Sequence, residues 1–285
     1  MLVHIKKILQ PAIQGKYAIG AFNTFNLETT LAIARAAVKQ KSPVIIQVTE
    51  STIKYAGLKN IFSIIKNIAE NEEIDVPIAI HLDHGKTIST VKKCIKLGFS
   101  SVHFDGSELT YKKNLTLTRR MAHYGHQHKV WVQGELGQIL SSKNKLNSDP
   151  AQFMTDPNQA QEFVTQTKID TFAPSVGALH GMYKGKEKLN QALIKKISNL
   201  TQKPLVLHGA SGVSNTDIKT AIKNGVRIIN IATRLQKEFA SELRQTLKED
   251  PHEIDPREIL APEMDTIQKA VEEKIKLFGS NGVIK

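Results

Sequence analysis

The sequence predicts an α/β fold, a closed (β/α)8 barrel, because short apolar runs alternate with amphipathic helical segments along the whole chain. The apolar runs are continuous rather than alternating in polarity, as expected of parallel strands that are covered on both faces. Eight such units over 285 residues fit a TIM barrel that forms one domain over residues 1–285. An open doubly wound sheet is the alternative, but no glycine-rich phosphate turn follows the first strand.

The predicted strands are short and end in polar or small residues. They cover residues 17–22, 44–48, 78–82, 102–104, 130–132, 171–173, 205–207 and 228–231. Helices are predicted at 27–39, 61–69, 88–97, 115–123 and 158–166, and a further helix begins at Asp217. A C-terminal helical extension carries Ile267, Ala270, Val271 and Ile275 on one face. That face packs either on a neighbouring subunit or on the barrel of its own chain.

Composition excludes several classes of protein. The chain is 40% hydrophobic and 23% charged, which is ordinary for a globular protein. It shows neither a signal segment nor an apolar run long enough to cross a bilayer, so we expect a cytoplasmic protein without a membrane partner. The single cysteine, Cys94, excludes an internal disulfide and is expected to be a buried thiol.

The net charge of +12 raises the question of nucleic-acid binding. The lysines are spread along the chain, however, and no nucleic-acid recognition motif accompanies them, so we predict no nucleic-acid partner. The positive charge instead favours attraction of an anionic substrate.

Three strand ends carry a His-Gly pair. Asp83 and His84 follow the third strand, His180 follows the sixth and His208 follows the seventh. In a barrel the carboxyl ends of all strands open at one mouth, which places these side chains together. Three neutral imidazoles suit one divalent metal ion with an open coordination position, and the adjacent carboxylate suits proton transfer. Another histidine cluster (His123, His126, His128) precedes the fifth strand at the opposite rim and is predicted to be a solvated turn.

The same mouth offers a candidate anion site. The turn Gly209–Gly212 follows the seventh strand, and Asn230–Thr233 ends the eighth. Barrel phosphate sites lie in these two loops, where small residues expose backbone N–H groups, and the helix from Asp217 would add its N-terminal dipole.

Linked motifs then identify a family. They stand at Gly20–Asn23, Ser42–Val48, His81–Gly85, Val102–Ser107, Gly134–Gly137, Thr155–Pro157, His180–Gly185, Leu205–Gly212, Ile229–Thr233 and Asp255–Arg257. In this order they resemble the class II, metal-dependent ketose-bisphosphate aldolases, in particular the branch of tagatose-1,6-bisphosphate aldolases and their fructose-1,6-bisphosphate relatives. The resemblance runs nearly end to end. It implies a lyase of carbohydrate metabolism that cleaves tagatose or fructose 1,6-bisphosphate to dihydroxyacetone phosphate and glyceraldehyde 3-phosphate.

The resemblance also implies roles for individual residues. One catalytic Zn²⁺ per subunit would be held by His84, His180 and His208, with Asp83 as the acid/base. Asp105 and Glu135 match positions that hold the zinc in a withdrawn position. The dihydroxyacetone phosphate half would be held by Gly181, Gly209, Ala210, Ser211, Asn230, Ile231, Ala232 and Thr233. Asn23 and Lys184 would line the substrate cleft. In some relatives a monovalent cation also binds near Gly181, Gly209 and Ser211, and the assembly is a homodimer or homotetramer, at times beside an accessory subunit.

Three departures from the family pattern leave alternatives open. Gln133 stands where relatives have glutamate, and Thr233 is followed by Arg234 instead of glutamate. The loop from Gly137 lacks the usual acidic pair, and no carboxylate follows Glu135 until Asp149. The chain is then either an aldolase with another base or slow turnover, or an impaired or accessory homologue that binds metal and sugar phosphate. A third alternative is an aldolase for another phosphorylated sugar, whose second anionic group would be bound by Lys143, Lys145 and Arg234.

Overall fold

We describe the protein from a computed structural model, in which residues 1–71, 73–138, 153–178 and 188–284 are placed well enough to describe. Eight parallel strands follow one another in sequence order and close into a barrel, with β8 pairing β1, so the (β/α)8 prediction is confirmed. The strands are β1 Ile19–Asn23, β2 Val44–Thr49, β3 Ile78–Gly85, β4 Ser101–Phe104, β5 Trp131–Leu136, β6 Thr171–Pro174, β7 Leu205–Leu207 and β8 Val226–Ile231.

Helices surround the barrel. They are α1 Ile5–Gly15, α2 Leu27–Lys39, α3 Glu50–Ala56, α4 Leu58–Ala69, α5 Ile88–Leu97, α6 Tyr111–Gln127, α7 Pro157–Thr167, α8 Gln191–Thr201, α9 Asn215–Lys223, α10 Thr233–Glu249 and α11 Pro256–Phe278. The helix predicted from Asp217 begins two residues earlier, because the Ser214 side chain caps it by accepting a hydrogen bond from the backbone N–H of Asp217. No helix in the described ranges combines the length and apolar character needed to cross a bilayer.

On β2 and β3 the side chains inside the barrel change from apolar to polar toward the carboxyl end of the strand. On β2 and β3 the paired positions are Ile45 with Ala79, then Gln47 with His81, then Thr49 with Asp83. Because alternate residues of a strand share a face, each pair lies one layer nearer the carboxyl ends of the strands. At the opposite end α1 packs its apolar side chains on the lowest layer and closes that end. The fold therefore gathers polar groups at a single mouth.

The C-terminal helix α11 packs mainly on α2 and α10. The four predicted apolar residues, Ile267, Ala270, Val271 and Ile275, are all buried within the chain. Beyond the helix, Ser280 hydrogen-bonds to Ser42 (Oγ to Oγ, 2.9 Å) at the start of β2. Of the two alternatives for this face, the structure shows the cover over the chain's own barrel.

Cys94 lies on the face of α5 that packs against the barrel and is fully buried. Burial raises the pKa of its thiol to about 12, so the group is a neutral core side chain at physiological pH.

Candidate active site

An irregularity in β3 turns two consecutive side chains into the mouth of the barrel. The register between β3 and β4 shifts between Leu82 and Gly85, and His84 has a left-handed backbone (φ 46°). Neighbours in a regular strand face opposite sides, but this bulge lets Asp83 and His84 both face the interior. Gly85 is needed beside it, because a Cβ there would lie 2.6 Å from the carbonyl oxygen of His103. The sequence pattern had ended this strand at Leu82.

Four side chains meet at this point. One ligand atom from each of Asp83, His84, His103 and His208 lies within 4.8 Å of the others. The ring centroids of His84 and His208 are 4.6 Å apart, and Asp83 Oδ1 is 3.8 Å from Nε2 of His84 and 3.9 Å from Nδ1 of His208. The structure thus brings together Asp83, His84 and His208 as the sequence analysis expected. The third expected ligand, His180, lies outside the described residues, as do Gly181 and Lys184.

A second group of residues with metal-ligating atoms shares His84 and His103 with the first. Its members His84, His103, Asp105 and Glu135 also have ligand atoms within 4.8 Å of one another. Nδ1 of His84 donates to Oδ2 of Asp105 over 2.7 Å, and Glu135 Oε2 lies 3.9 Å from the same nitrogen. A carboxylate that accepts from one ring nitrogen leaves the other nitrogen to a metal, an arrangement common in zinc proteins.

The charge of this cluster favours a cation. Burial opposes protonation of His84, but the carboxylates of Asp83, Asp105 and Glu135 outweigh it and raise the pKa of His84 to about 10. Burial, followed by repulsion from Asp105, raises the pKa of Glu135 well above its usual value. Nε2 of His103 and Oε2 of Glu135 are buried, 3.6 Å apart, and make no hydrogen bond to any described residue. This donor set fits a divalent metal ion, which would replace the proton of His84 as the balancing charge.

Amide side chains hold Asp83. Its Oδ2 accepts from Nδ2 of Asn23 over 3.0 Å, and its Oδ1 accepts from Nδ2 of Asn230 over 3.2 Å. Gln47 fixes the position of Asn23, because its Nε2 donates to the Asn23 side-chain oxygen over 2.8 Å. Burial of Asp83 works against ionisation, but the neighbouring His84 and the hydrogen bond from Asn23 keep its pKa below the usual value. Asp83 is therefore a carboxylate aimed at the mouth.

Two polar residues of this site, Gln47 and His103, are absent from the predicted set, and Gln133 was noted only as a departure from the family pattern. Gln47 and Gln133 are fully buried amides, and His103 is a buried imidazole whose pKa is lowered to about 3 by burial and then by the nearby His84. The available signal was spacing, since His103 stands two residues before Asp105 and Gln133 two residues before Glu135. Side chains two apart on a strand share a face.

A cavity of about 420 Å³ opens above the cluster. Of the predicted site residues it is lined by Asn23, Asp83, His84, His208, Gly209, Ser211, Asn230, Ala232 and Thr233. Ala210 and Ile231 are buried beside it and do not line it. The other lining residues are Phe25, Thr49, Ser51, Thr52, Tyr55 and Gln236.

The N-terminus of α10 lies at this cavity. Thr233 is its first residue, and Ala232 at the N-cap provides no side-chain hydrogen bond to the first turn. Backbone N–H groups at an uncapped helix start attract anions, and the glycine turn at Gly209 (φ 69°) stands beside it. The N-terminus of α9, which the sequence suggested for this role, is instead capped by Ser214 and carries Asp217 in its first turn.

Two other predicted groups lie away from the cavity. The guanidinium of Arg234 contacts Glu238 (Nε to Oε1, 2.7 Å), with Glu273 at 4.0 Å, and is not part of the cavity lining. His126 is solvent-exposed as predicted and contacts Asp170 (2.9 Å) at the opposite rim, but it lies in the last turn of helix α6 and not in the predicted turn.

Comparison with known proteins agrees with this geometry. The family model described as "Fructose-bisphosphate aldolase class-II" matches residues 3–283. A fructose-bisphosphate aldolase of Geobacillus stearothermophilus is 40% identical over 282 residues, which is 99% of this chain and 98% of the relative. A probable fructose-bisphosphate aldolase of Bacillus subtilis is 38% identical, with 98% of each chain covered. The crystal structure of the YdjI aldolase from Escherichia coli K12 superposes with a TM-score of 0.88 at 31% identity over the full length of both chains. The chain is therefore a member of the class II fructose-bisphosphate aldolase family, and it is an aldolase.

Proposed function

We propose that this aldolase is zinc-dependent and reversibly cleaves a ketose 1,6-bisphosphate to dihydroxyacetone phosphate and glyceraldehyde 3-phosphate. The observation that supports it best is the convergence of Asp83, His84 and His208 at one cavity whose other wall contains the start of α10. His84 and His208, with His180, are the proposed ligands. A zinc ion held by these residues would supply the positive charge that stabilises the negative charge developing on the substrate during cleavage.

The residues around that centre have separate tasks in this proposal. Asp83 takes the proton of the hydroxyl at carbon 4, the bond between carbons 3 and 4 breaks, and the electron pair remains on carbon 3. Asn23 and Asn230 keep the Asp83 carboxylate oriented during this step. The turn at Gly209–Ser211 and the first N–H groups of α10 bind the phosphate on carbon 1. Gly209 and Ser211 also belong to the proposed monovalent cation site, together with Gly181.

We favour tagatose 1,6-bisphosphate over fructose 1,6-bisphosphate, which differs only in configuration at carbon 4. The Gly-Ala-Ser-Gly turn at 209–212 and the Asn-Ile-Ala-Thr segment at 230–233 support this preference. The loop that lacks the acidic pair runs mostly through residues 139–152, outside the described part of the chain. An impaired or accessory homologue that binds metal and sugar phosphate therefore remains the second candidate, and we propose a homodimer or homotetramer for either.

Cleavage of both sugars, measured with and without a chelator, tests the proposal. We expect turnover that a chelator abolishes and added zinc restores. Turnover that is insensitive to chelator and yields a lysine adduct on borohydride treatment would refute a metal-dependent mechanism. Zinc and dihydroxyacetone phosphate binding without exchange of the carbon 3 proton would favour the impaired or accessory homologue.

A further inference from the structure

The two proposed ligands in the described part of the chain are each supported from behind by a different group. Nδ1 of His84 donates to the Asp105 carboxylate over 2.7 Å, which leaves Nε2 for the metal. Nε2 of His208 lies 2.9 Å from the side-chain amide of Gln133. His208 and Gln133 are each about 1% exposed, so no bulk water competes for this contact.

The hydrogen bonds around His208 determine which ring nitrogen carries the proton. Nδ2 of Asn230, which can only donate, lies 3.2 Å from Oδ1 of Asp83. The same Nδ2 lies 3.3 Å from Nδ1 of His208, which therefore accepts. A neutral imidazole has one N–H, so His208 carries its proton on Nε2. The structure places Nε2 of Gln133 at this position, so the amide group must be turned by 180° to present its oxygen, Oε1, to the N–H.

We propose that Gln133 is a positioning residue for the metal site, whose Oε1 accepts the Nε2–H of His208 and so keeps Nδ1 turned toward the metal ion. This inference rests on the proposed metal site. Partners of this kind fix the tautomer and the ring orientation of a ligating histidine, and their loss typically weakens metal binding about 10–100-fold. A neutral amide is a weaker hydrogen-bond acceptor than a carboxylate, so Gln133 raises the basicity of its imidazole less than Asp105 does. His208 is therefore a weaker metal ligand than His84.

Metal affinity of three single variants tests the proposal without reference to catalysis. Gln133→Met keeps the length of the side chain and removes the amide, and we expect about 10–100-fold weaker zinc binding in competition with a chelator. Gln133→Glu replaces the neutral acceptor with a negatively charged one, and this variant should bind zinc more tightly than wild type. Gln40→Met is the matched control, because it removes an amide at the end of α2 that hydrogen-bonds to Glu272 (Nε2 to Oε2, 2.9 Å), outside the barrel interior. We expect its zinc affinity to stay within about threefold of wild type.

The tautomer itself gives a second readout. Long-range ¹H–¹⁵N correlation spectra of the metal-free protein should show His208 protonated at Nε2 in wild type and in a mixture of both tautomers in Gln133→Met. A wild-type His208 protonated at Nδ1, or a folded Gln133→Met variant with wild-type zinc affinity, would overturn the proposal. Wild type that binds zinc with the expected tautomer but cleaves neither sugar bisphosphate would instead refute the proposed function and leave this inference standing.

Discussion

At the scale of single residues, Asp83 is a buried carboxylate held by donors on both of its oxygens. Replacing it with the isosteric amide removes the base and leaves the size of the side chain unchanged. We expect Asp83→Asn to lower the rate of sugar-bisphosphate cleavage about a hundredfold to ten-thousandfold, the usual cost of losing a general base. Zinc content, measured on the same samples, should stay at the wild-type level, because the proposed ligands are the imidazoles. An unchanged rate would remove Asp83 from the mechanism.

His81 gives a pH-dependent stability. It is fully buried, with Nδ1 2.9 Å from Ser101 Oγ, and burial lowers its pKa from 6.5 to about 4. Between these values the unfolded chain binds a proton at this position and the folded chain does not, so the free energy of unfolding falls as the pH falls from 6.5 to 4. One such group contributes a slope of up to about 1.4 kcal/mol per pH unit.

Urea unfolding of the metal-free protein between pH 6 and 4.5 measures that slope. We expect the free energy of unfolding to fall less steeply with falling pH in His81→Gln than in wild type. The difference between the two slopes should approach the contribution of one proton, about 1.4 kcal/mol per pH unit. Equal slopes in the two proteins would show that His81 is not held neutral by the fold.

Sequence patterns predicted the site residues that belong to local motifs and missed those that belong to the barrel's register. His84 and His208 stand next to glycines at strand ends and Asp83 precedes His84, so a linear pattern could find them. Gln47 and His103 lie within strands and are ordinary polar residues in the linear sequence, and Gln133 was visible only as a departure from the family pattern. Their role depends on which face of each strand turns inward, which is set when all eight strands close on one another.

At the scale of secondary-structure elements, the junction of β3 and β4 has no space for an added methyl group. A Cβ on Gly85 would lie 2.6 Å from the carbonyl oxygen of His103, 2.7 Å from Leu82 and 2.8 Å from Val91. We expect Gly85→Ala to destabilise the fold by about 1–3 kcal/mol and to weaken zinc binding, because the strand that carries His84 must move. Chemical unfolding and chelator competition measure the two effects.

Gly15→Ala is a suitable control for that variant. Among the described residues, a Cβ added at Gly15 comes close to the ring of Tyr17, which can rotate, and alanine is favoured over glycine in a helix by about 0.5–1 kcal/mol. Wild-type stability and zinc affinity in Gly85→Ala would contradict the tight junction seen here.

The extent of β3 shows why element boundaries were harder to predict than elements. The apolar pattern ended at Leu82, yet hydrogen bonding to β4 continues past a bulge to Gly85. Helix α3 was missed because seven residues, Glu50–Ala56, are too few for a periodic apolar pattern. Helix α1 was missed although Ile5, Ile8, Leu9 and Ala12 follow helical spacing and close one end of the barrel.

At the scale of the whole molecule, the barrel closes where β8 pairs β1, and α11 lies over that closure. It packs on α2 and α10, the helices that follow β1 and β8. The tail then returns to the first two units, where the backbone N–H of Ala18 donates to the carbonyl oxygen of Phe278 over 3.1 Å. The apolar face of this helix was visible in the sequence, but its partner was not. The three-dimensional structure is needed to show that this face packs on helices of the same chain.

Cutting back one side chain on that face measures how much α11 contributes to the closed barrel. Ile275 is fully buried, whereas Ile254, just before the helix, is 88% exposed. Ile275→Ala leaves a cavity beneath the helix and should lower the free energy of unfolding by about 2–5 kcal/mol. Ile254→Ala makes the same chemical change at the surface and should alter it by no more than about 0.5 kcal/mol. Equal losses in urea unfolding, or a loss in neither variant, would mean that α11 does not hold the closure between β8 and β1.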